Sequence, residues 1–464
     1  MGGFMTKIVV CVCVCVLGAS LGAAETPAVP VPTLASAEQT RASAAREWTL
    51  GEVLAAVLAQ HPLVEAARAR AEAARASRAA AGVSPNPVAT YWSENSRFPG
   101  AGALPGVNLE TSAYLTMPLE PFLQRAPLVR AADQGVIEAD ALIAAARRDA
   151  AVAAVRAFYR VALAQAAVDA ARGNRDALEP LVSFSRTRVG EGAMPEVELL
   201  RVQVEFDRAG AEVGLAEADL ARASAELRSM LGNAGGVTSP LDALRVAVPP
   251  GSVAGAALAP IEEFLTRATA SRPELLSARA RLAGSEAAIA YQRTLNVRQL
   301  GASFGLKRSA GQSSMIAGVS MAIPIFNRNH AGIARASGES RAVQQEVASW
   351  ERTVAGEVRG AYAAAERLSL QVAALRPMFL RRAEEVHRIT LGAYQEGGAS
   401  LLQVLDASRS LADARLMYAR TLFAARESIL ELTLASGTDP TAAVASLDSA
   451  GITVPGRPFD GGRQ

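Results

Sequence analysis

Ser314-Met315-Ile316-Ala317-Gly318-Val319-Ser320-Met321-Ala322-Ile323 decides the reading of this chain. Met315, Ala317, Val319, Met321 and Ile323 alternate with Ser314, Ile316, Gly318, Ser320 and Ala322. A period of two with one apolar face and one small or polar face predicts a β-strand. A strand of roughly 9–11 residues, tilted, is long enough to cross a bilayer. Just before it, Leu300, Ala302, Phe304 and Leu306 alternate with Gln299, Gly301, Ser303, Gly305 and Lys307.

Two further alternating segments occur much earlier. Val88, Thr90 and Trp92 alternate with Ala89, Tyr91 and Ser93, and the first set is read as the apolar face. Leu109, Thr111, Ala113, Leu115 and Met117 alternate with Asn108, Glu110, Ser112, Tyr114 and Thr116. The connections Asn95 to Val107 and Arg308 to Ser313 carry Gly, Pro, Ser and Arg and read as exposed loops.

The two strand pairs belong to two copies of one plan. Glu52, Leu54, Ala59, Pro62, Ala67, Arg68 and Ala69 match Glu263, Leu265, Ala270, Pro273, Ala278, Arg279 and Ala280, each pair 211 residues apart. Later in each half runs a heptad seam. Val202, Phe206, Ala209, Val213, Ala216, Leu220, Ala223 and Leu227 step by four and three, as in helices packed knobs-into-holes. The same steps, 205 residues on, give Ala407, Leu411, Ala414, Tyr418, Thr421, Ala425, Ser428 and Leu432. Arg125 to Arg188 reads as a long helix with only Pro127 and Pro180 inside it. At 1.5 Å per residue it is ~95 Å long, a rod and not a globular core helix. Reversals fall at Gly190-Glu191-Gly192-Ala193-Met194-Pro195 and at Glu396-Gly397-Gly398-Ala399-Ser400.

Composition agrees with long helices packed through small residues: half the chain is hydrophobic, yet only 5% is aromatic. With 47 basic and 45 acidic residues the net charge is +2, which gives no basic footprint for nucleic acid. Lys7 precedes an apolar run, Ile8 to Gly22, that ends in Gly22-Ala23-Ala24, the pattern of a secretory signal cleaved after Ala24. Cys11, Cys13 and Cys15 are the only cysteines and lie within it. Each follows valine, where a lipoprotein signal carries a small residue. The expected organisation is a signal peptide at 1–24, a flexible leader at 25–47, a first repeat at 48–250, a second at 251–436 and a loosely ordered tail at 437–464.

The sequence holds no phosphate-binding glycine loop with lysine, no Gly-x-Ser-x-Gly elbow and no cysteine nucleophile after the signal. His61, His330 and His387 lack metal-ligand spacing. An enzyme, a cofactor and a metal site are therefore not expected. No segment after the signal has 18 consecutive apolar residues, so no transmembrane helix is expected either. Four strands cannot close a barrel, and an unpaired edge is not tolerated in lipid, so a membrane barrel built from them is shared between chains. The fold class expected is mainly α with a membrane β-barrel part, its duplicated halves forming a trimeric α/β-barrel tunnel. Two functional classes stay open: an outer-membrane duct, and a periplasmic coiled-coil scaffold or adaptor.

From Trp48 to Ser436 the sequence resembles the TolC-like outer-membrane factors, and within them the CzcC-like cation-efflux branch. The resemblance rests on the duplicated plan, on Leu115-Thr116-Met117-Pro118-Leu119, and on Val319-Ser320-Met321-Ala322-Ile323-Pro324-Ile325-Phe326-Asn327-Arg328-Asn329. The family usually has glycine where Ala331 stands; here Gly332 comes one place late. The resemblance implies a homotrimer in the outer membrane with a periplasmic extension. It implies docking through a periplasmic adaptor, or membrane fusion protein, to an inner-membrane pump of the resistance-nodulation-division type. Such a channel is a passive exit duct, here for heavy-metal cations; drug efflux and type I protein secretion are the alternatives. In this family a tyrosine, an arginine and two aspartates line the periplasmic constriction. Tyr394 matches the tyrosine, Asp406 one aspartate and Gln403 the other, while Ala399 stands at the arginine position. Glu198, six residues after Gly192, takes the acidic position of the first half. Glu198, Tyr394, Gln403 and Asp406 are thus the gate candidates.

Overall fold

A computed structural model describes residues 47–96, 108–232, 244–248 and 258–449. The signal peptide, nearly all of the leader, most of the 95–107 connection and the last residues of the tail lie outside them.

Each half opens with a jointed helix pair. Thr49 starts α1 (Leu50–Gln60) through a capping box in which it and Glu52 satisfy each other's backbone N–H groups. His61 ends α1 and starts α2 (Pro62–Ala81). In the second half Arg272 stands at the same joint between α5 (Ile261–Ser271) and α6 (Pro273–Thr294). Proline follows both joints at the first helical position, where its missing N–H is harmless.

Then come the strands: β2 (Val88–Glu94) and β3 (Glu110–Pro118) in the first half, β5 (Arg298–Ser309) and β6 (Gln312–Ala322) in the second. They form one antiparallel sheet in the order β2-β3-β5-β6, so the halves join through β3 and β5. Two-residue strands β1 (Glu47–Trp48) and β4 (Arg245–Val246) pair separately. The loop expected from Arg308 to Ser313 contracts to a two-residue turn: Ser309 pairs with Gln312, and Ala310 and Gly311 hold φ of 50° and 81°. Positive φ at both central residues gives the turn the twist of the strands it joins.

The rods follow. α3 (Glu120–Gly190) has 71 residues and α4 (Glu196–Leu231) has 36. In the second half, α7 (His330–Leu375) passes through a π-helical turn at Arg376–Leu380 into α8 (Arg381–Gln395), and α9 (Leu401–Ala435) returns. Every position of the predicted second seam, Ala407 to Leu432, is buried on α9. In the first seam Val202, Ala209, Val213, Ala223 and Leu227 are buried. α3 contains an 18-residue window apolar enough to cross a membrane, but most of that window is buried inside the protein, as in a core helix.

The largest core gathers Val53, Leu54 and Val57 of α1, Ala154, Val155, Phe158 and Val161 of α3, Leu227 and Leu231 of α4, and Leu430 and Leu434 of α9. It also takes Ala443 and Val444 from α10 (Pro440–Ser449). The part of the expected loose tail from Pro440 to Ser449 is thus a helix, packed through Ala443 and Val444. Asp439 accepts from the Thr441 backbone N–H at 2.9 Å and starts this helix. Beside the core, Arg148 of α3 donates to Glu274 of α6 at 3.1 Å, to Glu357 of α7 at 3.4 Å and to the Leu434 carbonyl at 3.3 Å.

Candidate functional site

Two regions carry the gate and strand expectations: the tip where the rods reverse, and the sheet. At the tip, Gly192 and Gly397 adopt φ of 71° and 80°, a left-handed conformation that glycine enters without a Cβ clash. Ser400 then caps α9. Its side chain receives the Gln403 N–H at 3.4 Å, and its own N–H donates to Gln403 Oε1 at 2.8 Å. The Gln403 side chain is therefore engaged in holding the helix start.

Tyr394 is only 7% exposed. It packs edge-on against Phe184 with ring centroids 5.9 Å apart, among Leu178, Leu181, Val202, Leu401, Val404 and Leu405. Its hydroxyl has no partner among the described residues. Tyr394 thus ties four helices together within one chain. Asp406 is exposed on α9, and Glu198 is half-buried in the first turn of α4. Among the described residues no hydrogen bond or ion pair links any two of the four candidates.

The tip holds features the sequence reading missed. Arg409 of α9 forms an ion pair and hydrogen bond with Glu205 of α4. Beside it a groove of about 300 Å³ is lined by Val197, Leu200 and Val204 of α4 and by Leu402 and Leu405 of α9. Val197, Leu200 and Val204 recur at helical spacing on a second face of α4, a signal hidden behind the stronger heptad seam.

In the sheet, cross-strand register fixes the faces. Leu115 pairs with Phe304, which pairs with Ala317; Met117 pairs with Ala302, which pairs with Val319. Ala89 pairs with Leu115 and Tyr91 with Ala113. The apolar face of β2 therefore carries Ala89 and Tyr91. Val88, Thr90 and Trp92 fall on the other face, with Tyr114, Thr116 and Ser303, which reverses the assignment made from β2 alone. On that polar face Thr116 and Ser303 share a hydrogen bond of 2.9 Å. Lys307 Nζ lies 2.6 Å from Glu110, which also accepts from Ser309 at 2.7 Å.

The motif after β6 is a joint. Asn329 holds φ of 58°, receives on its Oδ1 an Arg298 N–H at 3.3 Å, and donates to the Gln292 carbonyl at 2.7 Å. A Cβ on Gly332 would fall 2.5 Å from Asn329 Oδ1 and 2.6 Å from Gln292 Oε1. The tight approach is thus at 332, the displaced position, where a Cβ would push on the far ends of the Asn329 and Gln292 side chains. Among the described residues no group of three or more His, Cys, Asp or Glu is placed to hold a metal ion.

Comparison with known proteins adds three findings. The family model described as outer membrane efflux protein matches residues 53–233 and 264–438. The cobalt-zinc-cadmium resistance protein CzcC of Cupriavidus metallidurans is 27% identical over 313 residues, covering 66% of this chain and 72% of that protein. Among solved structures, CusC superposes with a TM-score of 0.68 at 18% identity, over 84% of this chain and 92% of its own. The CmeC outer membrane channel of Campylobacter jejuni gives 0.68 at 16% identity, over 86% and 88%. At these identities the two structures establish the fold.

Proposed function

The chain belongs to the outer membrane efflux protein family, and from that membership we propose that three copies form one passive duct exporting heavy-metal cations across the outer membrane. The observation that carries the reading is the open sheet. Its four strands leave β2 and β6 each with one edge unpaired among the described residues, and both sheet faces are largely exposed. Unpaired edges are costly in lipid, so the edges pair between copies, and three copies give twelve strands. The apolar face with Phe304, Leu115 and Val319 meets lipid, and the face with Ser303, Thr116 and Lys307 meets water in the lumen.

The rods continue the lumen into the periplasm, where Glu198 and Asp406 recur once per copy near the tip. Carboxylates repeated around a narrow mouth concentrate cations there. This chain supplies a path, and the driving energy comes from a partner: a periplasmic adaptor and an inner-membrane pump of the resistance-nodulation-division type. The likeness to CzcC supports cobalt, zinc and cadmium as cargo.

Deleting the gene from its host and restoring it tests the reading. The deletion strain should lose growth in cobalt, zinc or cadmium while keeping its tolerance of drugs. Sensitivity to drugs alone, or a block in protein secretion alone, would replace metal cations as the cargo.

A further inference from the structure

Away from the tip, a half-open cavity of about 330 Å³ lies between α3, α8 and α9. Ala170, Gly173, Asn174 and Ala177 of α3 line it, with His387 of α8 and with Ser408, Leu411, Ala412 and Arg415 of α9. Small side chains on α3 and Ala412 on α9 leave the space open. A Cβ on Gly173 would lie 3.5 Å from Arg415 Nη1, so the guanidinium reaches across from α9 to α3.

Two polar atoms lining this cavity have no partner among the described residues. Ser408 is 5% exposed, and its hydroxyl has no hydrogen-bond partner among the described residues. Asn174 Oδ1 is buried and also unpartnered. Buried polar groups are almost always paired, so two orphans lining one cavity indicate something that fills it. Arg415 has no carboxylate within ion-pair distance among the described residues, whereas Arg148, Arg272 and Arg409 all have one. The lining contains no acid.

We propose that this cavity binds a small tetrahedral oxyanion, held by Arg415, Ser408, Asn174 and His387. The guanidinium supplies charge and two parallel donors, which suit an oxyanion's geometry. The Ser408 hydroxyl donates a further bond. The Asn174 amide does so with its oxygen and nitrogen exchanged, an orientation that only the hydrogen-bond network decides. Neutral His387 offers one N–H, and the imidazolium offers a second donor and a second charge.

Burial, and then the positive charge of Arg415, hold His387 below the ordinary imidazole value. No titratable group of α3 lines the cavity, and Arg415 is the only charged group of α9 that does. On α8 itself Glu384, Glu385 and Arg388 are exposed, and Glu385 and Arg388 pair with each other. An anion beside His387 offsets both causes of its depression, so binding tightens as pH falls. The bound anion would bridge the rods of the two halves just above the tip.

The chain's three histidines, His61, His330 and His387, make the test direct. Full-length protein in detergent, with its histidines carbon-13 labelled, is titrated with inorganic sulfate, whose charge is constant with pH. Chloride at matched ionic strength is the control. The His387 signal, assigned by its loss in His387→Gln, should shift saturably, and its pKa should rise by about one unit, a tenfold preference for the protonated form. Arg415→Gln should weaken sulfate about tenfold or more, and Ser408→Ala severalfold. If Arg415→Gln fails to fold, Ser408→Ala and Asn174→Ala provide the same comparison. A His387 signal indifferent to sulfate, or a shift that chloride or the variants reproduce in full, would mean that the cavity holds only water and would overturn the assignment.

Discussion

Arg272 and His61 hold the same backbone conformation, φ/ψ of −64°/122° and −67°/122°, at the same joint of two duplicated helix pairs 211 residues apart. The joint has kept its shape and changed its chemistry. Arg272 is 1% exposed and donates to Glu357 at 2.6 Å, to Glu274 at 2.9 Å and to the Ala435 carbonyl at 3.0 Å. His61 has a buried Nδ1 with no partner among the described residues. The second half thus locks α6, α7 and α9 around one guanidinium, and His61 makes no such lock among the described residues. Truncating one partner of a buried charged network leaves the others desolvated and unpaired. Arg272→Ala should cost on the order of 3 kcal/mol, moderated because Glu357 is partly exposed. His61→Ala should cost less. Denaturant unfolding of the two variants checks the order.

The strands give a face-by-face test. Phe304→Arg or Val319→Arg should impair membrane assembly by ~2–4 kcal/mol near the bilayer midplane, while arginine at Ser303 or Ser320 is better tolerated. Register adds a sharper pair on β2: Tyr91→Arg should be the damaging change and Trp92→Arg the milder one. The yield of detergent-stable trimer from membranes measures both. Equal tolerance on the two faces would refute the lipid assignment.

Much of this architecture was legible because it is local or periodic. The strands, the rods, both reversals and the duplicated joint all announce themselves by spacing. The face of β2 did not. Val88 and Trp92 look apolar beside Ala89 and Ser93, and only pairing with β3 shows which set continues the Phe304 face. Tyr394 was legible as a tip residue but not as a buried one, because Phe184 and Val202, which cover it, arrive from the other half. The network of Arg148, Glu274 and Glu357 joins residues far apart in sequence and leaves no pattern. The Asp439-Pro440 start of α10 was a readable cap signal, obscured by Gly437 before it and by the glycines and prolines from 451 onward.

At the joint after β6, a Cβ on residue 332 would press on the amide ends of Asn329 and Gln292. Gly332→Ala should force Asn329 or Gln292 to move and loosen the hydrogen bonds that fix the start of α7, at about 1–3 kcal/mol. A lower melting temperature with unchanged secondary structure is the expected result. Full stability would show that the joint yields.

Glu427 on α9 is held above the ordinary carboxylate value, first by burial and then by Glu431, against the pull of Arg156 and Arg160. The folded chain therefore keeps this proton where the unfolded chain has lost it. Its contribution to stability is greatest at acid pH and falls as pH rises from the ordinary carboxylate value through the raised one. Glu427→Gln should accordingly melt higher than the parent at pH 7 and match it at pH 4. Parallel curves across that interval would contradict the assignment.

The tip separates two roles that sequence resemblance had merged. Tyr394 is packed inside one chain and its hydroxyl has no partner among the described residues, so Tyr394→Phe should leave conductance unchanged and Tyr394→Ala should loosen the tip by opening a cavity. Asp406 is exposed and, three residues before Arg409, adds its charge to that of Glu205. In the proposed trimer three Asp406 carboxylates would lie near the mouth, where divalent cations should bind and reduce current from the periplasmic side. Asp406→Asn should weaken that block without altering the fold, because Asp406 is exposed. The Arg409–Glu205 pair ties α9 to α4 beside the tip; if the tip is the proposed gate, Arg409→Gln should raise basal conductance. Planar-bilayer recordings of the parent, Asp406→Asn and Arg409→Gln decide between these roles. If Asp406→Asn matches the parent in conductance and in cation sensitivity, Asp406 does not face the lumen and the gate assignment fails.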